Sequence, residues 1–498
     1  MNSKTLGLFA GIFVCILVII LPTPEGAKPE AMRAAGVTLL MAIWWITEAL
    51  PISATALVPL ALFPMLGILD ADKTAENYGH SYVLMLLGGF FIAKAIEMQN
   101  LHKRIALLTI KTIGSNRQKV ILSFMIATAF LSMWIANVAV VLLMLPIATA
   151  IITKEEETDE QNSRFGLALM LAIAYAASVG GTATLIGTPP NLVFAGIIKS
   201  LYPKAPEISF FQWMLIGVPM VIVLLPFTWL YLLKYFKIKG KFSGSHDIVE
   251  RELKALGSMT KAEMRVLMVF IFTALGWVFR KDFNFGSFEL PGWASLMGID
   301  EYVHDSTVAI IAALALFIPP TGNKEKDKQH YLLDWKSAES VPWGVVIIVG
   351  GGYAIANGFA ETGLALWLGN QITFVEGMSA FLVLLIVVFF ITFLTEVNSN
   401  TATANIFLPV LATVAVVNQT NPLLLMIPAT FACSCAFCLP SGTGTNAVIF
   451  GSGRVTIPEM AKAGLWMNFI SIVIVTLVVY LVAVPVLGIG NEVPVWAK

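Results

Sequence analysis

Long apolar runs separated by short polar segments are the dominant pattern in this chain. A run of about 20 apolar residues predicts a helix that crosses a bilayer, because the hydrocarbon core is about 30 Å thick. Such helices are predicted at residues 6–21, 31–47, 52–69, 81–101, 166–186, 211–235, 264–280, 306–319, 343–360, 424–438 and 464–488. The pattern therefore predicts an all-α polytopic membrane protein.

The composition agrees with this class and excludes others. Of the 498 residues 57% are apolar and 12% are charged, with 31 Lys and Arg balanced by 31 Asp and Glu. A nucleic-acid-binding protein would need a basic surface, and a soluble enzyme of this size would need more charge. Four cysteines, at positions 15, 433, 435 and 438, are interpreted as packing residues of membrane helices and not as a disulfide or metal framework.

Basic residues concentrate in some polar segments and are missing from others. They cluster in segments 103–119, 237–261 and 324–328, whereas segments 366–378 and 418–423 contain no Lys or Arg. Cytoplasmic loops carry the excess of basic residues in membrane proteins. The first three segments are therefore predicted to be cytoplasmic and the other two external, in a multi-pass protein of the cell membrane.

The two halves of the chain resemble each other at a constant spacing. Matches 263 residues apart are Lys73 with Lys336, Glu76 with Glu339, Gly88-Gly89 with Gly351-Gly352, Asn137 with Asn400, and Leu145-Pro146 with Leu408-Pro409. Matches 255 residues apart are Thr188 with Thr443 and Asn191 with Asn446. The charge pattern gives the halves opposite orientations, so the repeats are predicted to be inverted. Inverted repeats are typical of secondary transporters, and an anion channel remains the alternative from another class.

The repeats also set the expected domain boundaries. N-terminal scaffold helices are placed at 1–72, the first inverted repeat at 73–236, a cytoplasmic linker at 237–262, linking helices with an external loop at 263–335, and the second inverted repeat at 336–498. We expect a carrier and not an enzyme, because no His or paired Asp lies at membrane depth to act as a base.

Two apolar runs, 120–152 and 379–417, are too long for one straight spanning helix. At about 1.5 Å per residue, the first would extend well beyond a ~30 Å hydrocarbon core. Each run has polar residues near its middle, around Asn137 and around Asn400. We predict two re-entrant helical hairpins with these residues at their tips, the first entering from the cytoplasm and the second from outside. Two long kinked helices are the alternative.

Each predicted hairpin is followed by a helix break rich in Gly, Pro and Thr, at 180–191 and at 440–446. Unwound backbone at membrane depth frees carbonyl oxygens that suit a small cation, and helix N-termini at the break attract an anion. None of the four motifs contains Lys or Arg. A co-bound sodium ion is therefore expected to supply positive charge, unless Lys94 or Arg454 reaches the cavity.

Glu396 is a charged residue at predicted membrane depth, which makes it a functional candidate. We favour the interpretation that its carboxylate braces the hairpin tip, because a carboxylate facing an anionic substrate would repel it. Lys94 and Glu97 are expected to form a pair near an interface, since they lie three residues apart on one helix.

These motifs resemble those of the divalent anion/sodium symporter family, which includes dicarboxylate, citrate and sulfate carriers. The family signature is a Ser-Asn-Thr tripeptide at each tip and a Gly/Ala-Thr-Pro-Pro-Asn break in each half. The second tripeptide is intact at 399–401, and so is the first break at 187–191. The first tripeptide reads Ala136-Asn137-Val138, and the second break reads Gly-Thr-Gly-Thr-Asn at 442–446. Asn398 and Thr445 are candidates to compensate for the missing polar groups.

The resemblance implies the ligands of each site. One sodium site would use Ser132, Ala136 through its backbone, Asn137 and Gly187, and the other would use Thr395, Asn398, Asn400 and Gly442. The substrate would meet Asn137, Val138, Thr188, Pro189, Ser399, Asn400, Thr401, Thr443 and Gly444.

The resemblance further implies a homodimer in the lipid membrane with a scaffold domain and a transport domain that moves like an elevator. The expected activity is import of small di- or tricarboxylates by sodium symport, most of all C4 dicarboxylates such as succinate, with two or more Na⁺ sites. A sodium-independent dicarboxylate exchanger and a sulfate carrier are the alternatives among carriers.

Overall fold

The computed structural model describes residues 3–113, 116–158, 163–240, 245–284, 289–325, 328–371 and 378–498. Parts of the predicted segments 103–119, 237–262, 263–335 and 366–378 lie outside these ranges, as does Lys326 of the basic segment 324–328. In the first half the helices are α1 Ser3–Ile20, α2 Pro29–Thr47, α3 Ile52–Thr55, α4 Val58–Met65, α5 Ala71–Glu76, α6 Ser81–Met98, α7 Leu101–Ile113, α8 Arg117–Ser132, α9 Asn137–Thr158, α10 Ser163–Gly181, α11 Pro189–Leu201 and α12 Phe210–Tyr235.

The second half continues the all-α architecture. Its helices are α13 Ser245–Leu256, α14 Lys261–Val278, α15 Trp293–Leu296, α16 Asp305–Phe317, α17 Trp335–Ala338, α18 Trp343–Thr362, α19 Leu364–Gln371, α20 Ala380–Thr395, α21 Asn400–Val417, α22 Pro422–Cys433, α23 Gly444–Gly451, α24 Ile457–Val478 and α25 Val484–Val486. Two small antiparallel ribbons pair β1 Phe283–Asn284 with β2 Glu289–Leu290, and β3 Pro320–Glu325 with β4 Lys328–Tyr331.

Seven helical stretches in the described ranges are long and apolar enough to cross a membrane. Further apolar helices of 10 to 17 residues, such as α16, α20 and α22, lie among them. Each run predicted to span from the apolar pattern contains a helix. The all-α polytopic prediction is therefore confirmed.

The two long apolar runs are helical hairpins and not kinked helices. In the first, α8 and α9 are joined by 133–136, and Arg117 at the start of α8 pairs with Glu155 near the end of α9. In the second, α20 and α21 are joined by 396–399, and their far ends line one cavity through Val383 and Val414. Each second arm begins at the predicted tip asparagine.

Each hairpin packs against a helix that is itself broken. The first, α8–α9, packs on α10, and the chain is non-helical from 182 to 188 before α11 begins. The second, α20–α21, packs on α22, and there the break extends from 434 to 443 before α23 begins. The predicted helix 424–438 is wrong in its last five residues, because α22 ends at Cys433 and the backbone amides of 437–439 donate to a side chain instead.

This break also corrects the interpretation of the cysteines. Cys433 ends α22, but Cys435 and Cys438 lie in the non-helical segment. All four cysteines are free and buried, so they pack as small apolar groups in and beside the break.

Most long helices that do not begin at a tip or a break have a side-chain N-cap, and this cap fixes the residue at which the helix starts. Ser209 and Gln212 form a reciprocal capping box at the start of α12, with hydrogen bonds of 3.0 and 3.2 Å. Thr260 and Glu263 do the same for α14. Capping satisfies backbone N–H groups that a helix leaves without partners. The helices that begin at the tips and breaks lack a side-chain N-cap.

Candidate functional site

Four helices begin at the predicted motifs, which are the two tips and the two breaks. They are α9 at Asn137, α11 after Thr188, α21 after Ser399 and α23 after Thr443. The two threonines have nearly the same backbone, with φ and ψ of −145° and 140° at Thr188 and −151° and 148° at Thr443. Neither hydroxyl caps its own helix, and Ser399 does not cap α21. The positive ends of these helices are therefore open toward an anion.

The first tip is held against the first break by oxygens around Asn137. Ser132 Oγ donates to the Ala177 carbonyl oxygen at 2.8 Å. With its amide nitrogen turned inward, Asn137 donates to Ser132 Oγ, to the Ala177 carbonyl oxygen at 3.2 Å and to the Gly187 carbonyl oxygen at 3.3 Å. Only glycine fits beside this amide at position 181, because a Cβ there would lie 2.5 Å from one end of the Asn137 amide group.

The second tip repeats this arrangement, with the hydroxyl and the asparagine 263 residues later and the carbonyl 256 residues later. Thr395 Oγ1 lies 2.9 Å from Asn400 Oδ1 and 3.0 Å from the Cys433 carbonyl oxygen. Ser132 and Thr395 are both fully buried. Each half therefore brings a hydroxyl, an amide and a main-chain carbonyl together at the base of its tip.

A second asparagine in each half fixes the break itself. Asn191 Nδ2 donates to the carbonyl oxygens of Gly181 at 3.2 Å and Thr184 at 2.7 Å. Asn446 Nδ2 donates to the carbonyl oxygens of Ala436 and Leu439, both at 3.1 Å. These acceptors correspond at the same 255-residue spacing as the asparagines. Both asparagines belong to the motifs, but reasoning from sequence did not assign them this bracing role, although the repeat spacing pointed to it.

Contacts between the halves join the first tip to the second break. A Cβ at Gly444 would lie 2.6 Å from Val138 Cγ2, so the starts of α9 and α23 touch. Deeper in the protein, Ser178 Oγ lies 3.1 Å from Thr445 Oγ1, and Tyr175 donates to the Phe437 carbonyl oxygen at 3.2 Å. The first tip and the second break therefore meet in one region of the structure.

The predicted site residues divide into two layers by burial. Val138 and Gly444 are exposed, and Asn137, Pro189, Ser399, Asn400 and Thr443 are partly exposed. Thr188 and Thr401 are buried beside them, and so are the residues assigned to sodium at Ser132, Gly187, Thr395, Asn398 and Gly442. Substrate candidates thus line an accessible surface, and most cation candidates lie beneath it.

Three residues that the sequence suggested as ligands or as replacements for missing hydroxyls already make hydrogen bonds within the protein. Asn398 Oδ1 accepts the Ser399 backbone N–H at 2.9 Å, and Thr445 is fully buried against Ser178. Neither side chain therefore replaces a missing hydroxyl at the accessible surface. The Ala136 carbonyl oxygen accepts two N–H groups, from Ala139 at 2.9 Å and Val140 at 3.2 Å, which reduces what it can offer a cation.

Glu396 braces the second break, as expected. Its carboxylate is 4% exposed and accepts the backbone N–H groups of Phe437, Cys438 and Leu439 at 2.7 to 3.1 Å. Asn468 Nδ2 adds a fourth hydrogen bond at 2.8 Å. These four donors fill the hydrogen-bonding capacity of the carboxylate and hold it against the break.

The basic residues left open by the sequence do not enter the site. Lys94 Nζ pairs with Glu97 Oε1 at 3.1 Å, which confirms the predicted pair. Arg454 donates to Thr153 Oγ1 at 3.1 Å, near the end of α9 opposite to the tip. Within the described ranges, no cluster of three or more His, Cys, Asp or Glu has the arrangement of a metal site. The oxygens available to a cation come from hydroxyls, amides and carbonyls.

Comparisons with known proteins agree with this geometry. A family model described as the sodium:sulfate symporter transmembrane region matches residues 2–488. The sodium-dependent dicarboxylate transporter SdcS of Staphylococcus saprophyticus is 42% identical over 505 residues, covering 100% of this chain and 94% of that protein. SdcS of Staphylococcus aureus strain N315 is 42% identical over the same length with the same coverage.

Solved structures show the same fold at low sequence identity. MtrF of Neisseria gonorrhoeae has a TM-score of 0.57 at 11% identity, covering 99% of this chain and 97% of that one. The YdaH transporter of Alcanivorax borkumensis has a TM-score of 0.56 at 12% identity, covering 98% of this chain and 99% of that one. The family match over nearly the whole length, together with the 42% identical relatives, shows that this chain belongs to the divalent anion/sodium symporter family of multi-pass plasma-membrane transport proteins.

Proposed function

We propose that this protein imports small dicarboxylates by sodium symport, with C4 dicarboxylates such as succinate as its main substrates. The observation that carries the proposal is the duplicated unit of tip and break. Each unit combines a buried oxygen cluster with open helix N-termini, and Lys94 and Arg454 bond elsewhere. A cation is needed beside an anion in such a site, because no basic side chain of the motifs neutralises it. The 42% identical relatives named as sodium-dependent dicarboxylate transporters support the same activity.

The first sodium site is proposed at the Asn137 amide. Half a turn of this amide would present Oδ1 in place of the nitrogen to Ser132 Oγ and to the carbonyl oxygens of Ala177 and Gly187. Hard oxygen ligands of this kind suit a small cation. The second site is proposed at Thr395, Asn400 and Gly442, with Asn398 contributing through its backbone. The buried carboxylate of Glu396 lies next to this second site, since a Cβ at Gly442 would be 3.1 Å from Glu396 Oε2.

The substrate carboxylates are proposed to bind where the four helices begin. Asn137 and Thr188 would serve one carboxylate, and Asn400, Thr401 and Thr443 the other, with Val138, Pro189, Ser399 and Gly444 lining the site. The second break has Gly444 and Thr445 where the first has two prolines. Proline has no N–H, so this departure adds two main-chain donors at the start of α23 and offsets the hydroxyl missing at Val138.

The proposed transport cycle follows the family pattern. The hairpin 120–152 would enter from the cytoplasm and the hairpin 379–417 from outside, both within a transport domain that moves against a scaffold of a homodimer in the lipid bilayer. The proposed divisions are 1–72, 73–236, 237–262, 263–335 and 336–498.

A sodium-independent dicarboxylate exchanger is the second candidate. One observation favours it, namely that position 136 has no hydroxyl and its carbonyl oxygen already accepts two N–H groups. The first cation site is therefore poorer in ligands than the second. A sulfate carrier would use the same hydroxyl and amide donors.

Uptake of labelled succinate into proteoliposomes tests these proposals. We expect uptake to require an inward sodium gradient and to saturate with succinate. Uptake that ignores sodium but accelerates with unlabelled dicarboxylate inside would establish the exchanger. Flux without saturation or counterflow would indicate a channel, and competition by sulfate but not by succinate would overturn the dicarboxylate assignment.

A further inference from the structure

Val138 and Gly444 form an apolar contact in the middle of the polar site. Val138 is the second residue of α9 and is 38% exposed. Its Cγ2 atom occupies the space above Gly444, where a Cβ would come within 2.6 Å. A separation below 3.0 Å would force one group to move, so glycine at 444 lets the Val138 side chain keep its present position. The two positions thus form one feature of the surface.

Polar donors lie on either side of this contact. Asn137 precedes the valine and Thr443 precedes the glycine, and both are partly exposed. In the described part of the chain, the backbone N–H groups of Gly444 and Thr445 have no hydrogen-bond acceptor. The surface therefore alternates between donors, an apolar patch and donors.

A dicarboxylate with an unsubstituted centre has the complementary pattern. Its two carboxylates accept hydrogen bonds, and its central CH₂–CH₂ or CH=CH unit is apolar. A hydroxyl on the central carbons would lose water against the valine methyl groups and gain no partner. An unpaired polar group of this kind lowers affinity by roughly one to two orders of magnitude.

We propose that Val138, packed on Gly444, selects C4 dicarboxylates without a hydroxyl group, such as succinate and fumarate, over hydroxylated acids such as malate and citrate. The inference rests on the proposed function, because it concerns the substrate of the same site. It names a specificity-determining residue where the tripeptide of this chain departs from the family signature.

Competition with the unaltered protein is the first test and needs no variant. Unlabelled 2-methylsuccinate and malate differ in one methyl and one hydroxyl group of similar size. We expect 2-methylsuccinate to inhibit uptake of labelled succinate at a concentration at least about tenfold lower than malate does. Equal inhibition by the two acids would overturn the inference while leaving succinate transport established. Absence of any dicarboxylate uptake would instead overturn the proposed function.

Substitution of the valine is the second test. Val138→Thr preserves the shape and adds a hydroxyl, so the ratio of the malate KM to the succinate KM should fall roughly tenfold. Val138→Ala removes methyl groups without adding a donor and should leave that ratio within about threefold. The matched control is Val473→Thr, the same exchange at a 52% exposed position on α24. An unchanged ratio in Val138→Thr would contradict the assignment.

The pairing with Gly444 provides an independent readout. Gly444→Ala places a Cβ against Val138 and should reduce succinate uptake strongly. The double variant Val138→Ala/Gly444→Ala should recover a large part of that loss, because the space above position 444 is reopened. Failure of the double variant to recover, with folded protein present, would show that the contact does not determine the shape of the site.

Discussion

The two halves build the same tip and break but hold them together with different chemistry. In the first half, Thr184 Oγ1 donates to the Met133 carbonyl oxygen and accepts the Gly187 N–H, and Trp213 Nε1 donates to the Thr182 carbonyl oxygen. At the equivalent positions of the second half, Glu396 replaces Met133 and Asn468 replaces Trp213. Hydrogen bonds between neutral groups hold the first break in place, and hydrogen bonds to a buried carboxylate hold the second.

This difference has consequences for length and for charge. The first break is the shorter one, from 182 to 188, and Thr184 within it makes the stabilising hydrogen bonds. The second break extends from 434 to 443, and its backbone surrounds the Glu396 carboxylate. A carboxylate near a cation site attracts the cation, and low dielectric surroundings strengthen that attraction. We therefore expect internal symmetry to determine where the proposed sites lie, and the asymmetric residues to make the two proposed cation sites unequal.

The largest effect is expected from copying the first half into the second with Glu396→Met. The backbone N–H groups of 437–439 would lose their acceptor, at a cost of about 1–3 kcal/mol for each of the two that are buried. We expect loss of uptake and a large drop in the melting temperature of the purified protein. Met133→Leu is the control, because only the main chain of residue 133 is used in the first break. A stable and active Glu396→Met protein would show that the second break does not need the carboxylate.

Glu396→Gln separates charge from hydrogen bonding. It retains an acceptor oxygen but replaces the carboxylate beside the second proposed cation site with a neutral amide. We expect the sodium concentration for half-maximal uptake to rise severalfold, with a smaller loss of stability than in Glu396→Met. Sodium dependence unchanged from the unaltered protein would show that the carboxylate acts only as a brace.

The tip asparagines are expected to be equally important in both halves. Asn137→Ala and Asn400→Ala should each abolish succinate uptake, because each removes an amide that is proposed to bind both the cation and the substrate. The variants should still purify as folded protein, and Asn370→Ala at an exposed position of α19 is the control. Normal uptake by either tip variant would contradict the site assignment.

The break asparagines should affect stability to a similar extent in both halves. Asn191→Leu and Asn446→Leu each remove hydrogen bonds to buried carbonyls, at about 1–3 kcal/mol for each unpaired group. We expect thermal melting to fall by several degrees in both, and by more for Asn191, which also reaches a third carbonyl at Thr182. An effect in only one half would show that the other break is supported independently.

The smallest effects are expected from the two hydroxyls at the base of the tips. Ser132→Ala and Thr395→Ala should raise the sodium concentration for half-maximal uptake by a few-fold, whereas Thr395→Ser should retain sodium dependence. The shift should be smaller for Ser132, if the first cation site is the weaker one. Titration of uptake with sodium at constant ionic strength provides the measurement.

The sequence by itself determined most of the helices, the internal repeat and the positions of both tips. The helices and tips are predicted from local patterns, namely the length of an apolar run and the positions of Gly, Pro and Asn, and the repeat is predicted by comparing the two halves. The tip at Asn137 and the start of α11 after Thr188 follow from such patterns. The bracing role of Glu396 was also predicted, because a carboxylate that faced an anionic substrate would repel it.

Only the tertiary structure decided which groups distant in sequence contact each other at the tips and breaks. Glu396 meets amides more than 40 residues away and an amide side chain 72 residues away, and these contacts shorten α22 at Cys433. Val138 meets Gly444 across the two halves. A buried hydrogen-bond donor takes whichever acceptor the packing brings near, and no local pattern records that choice.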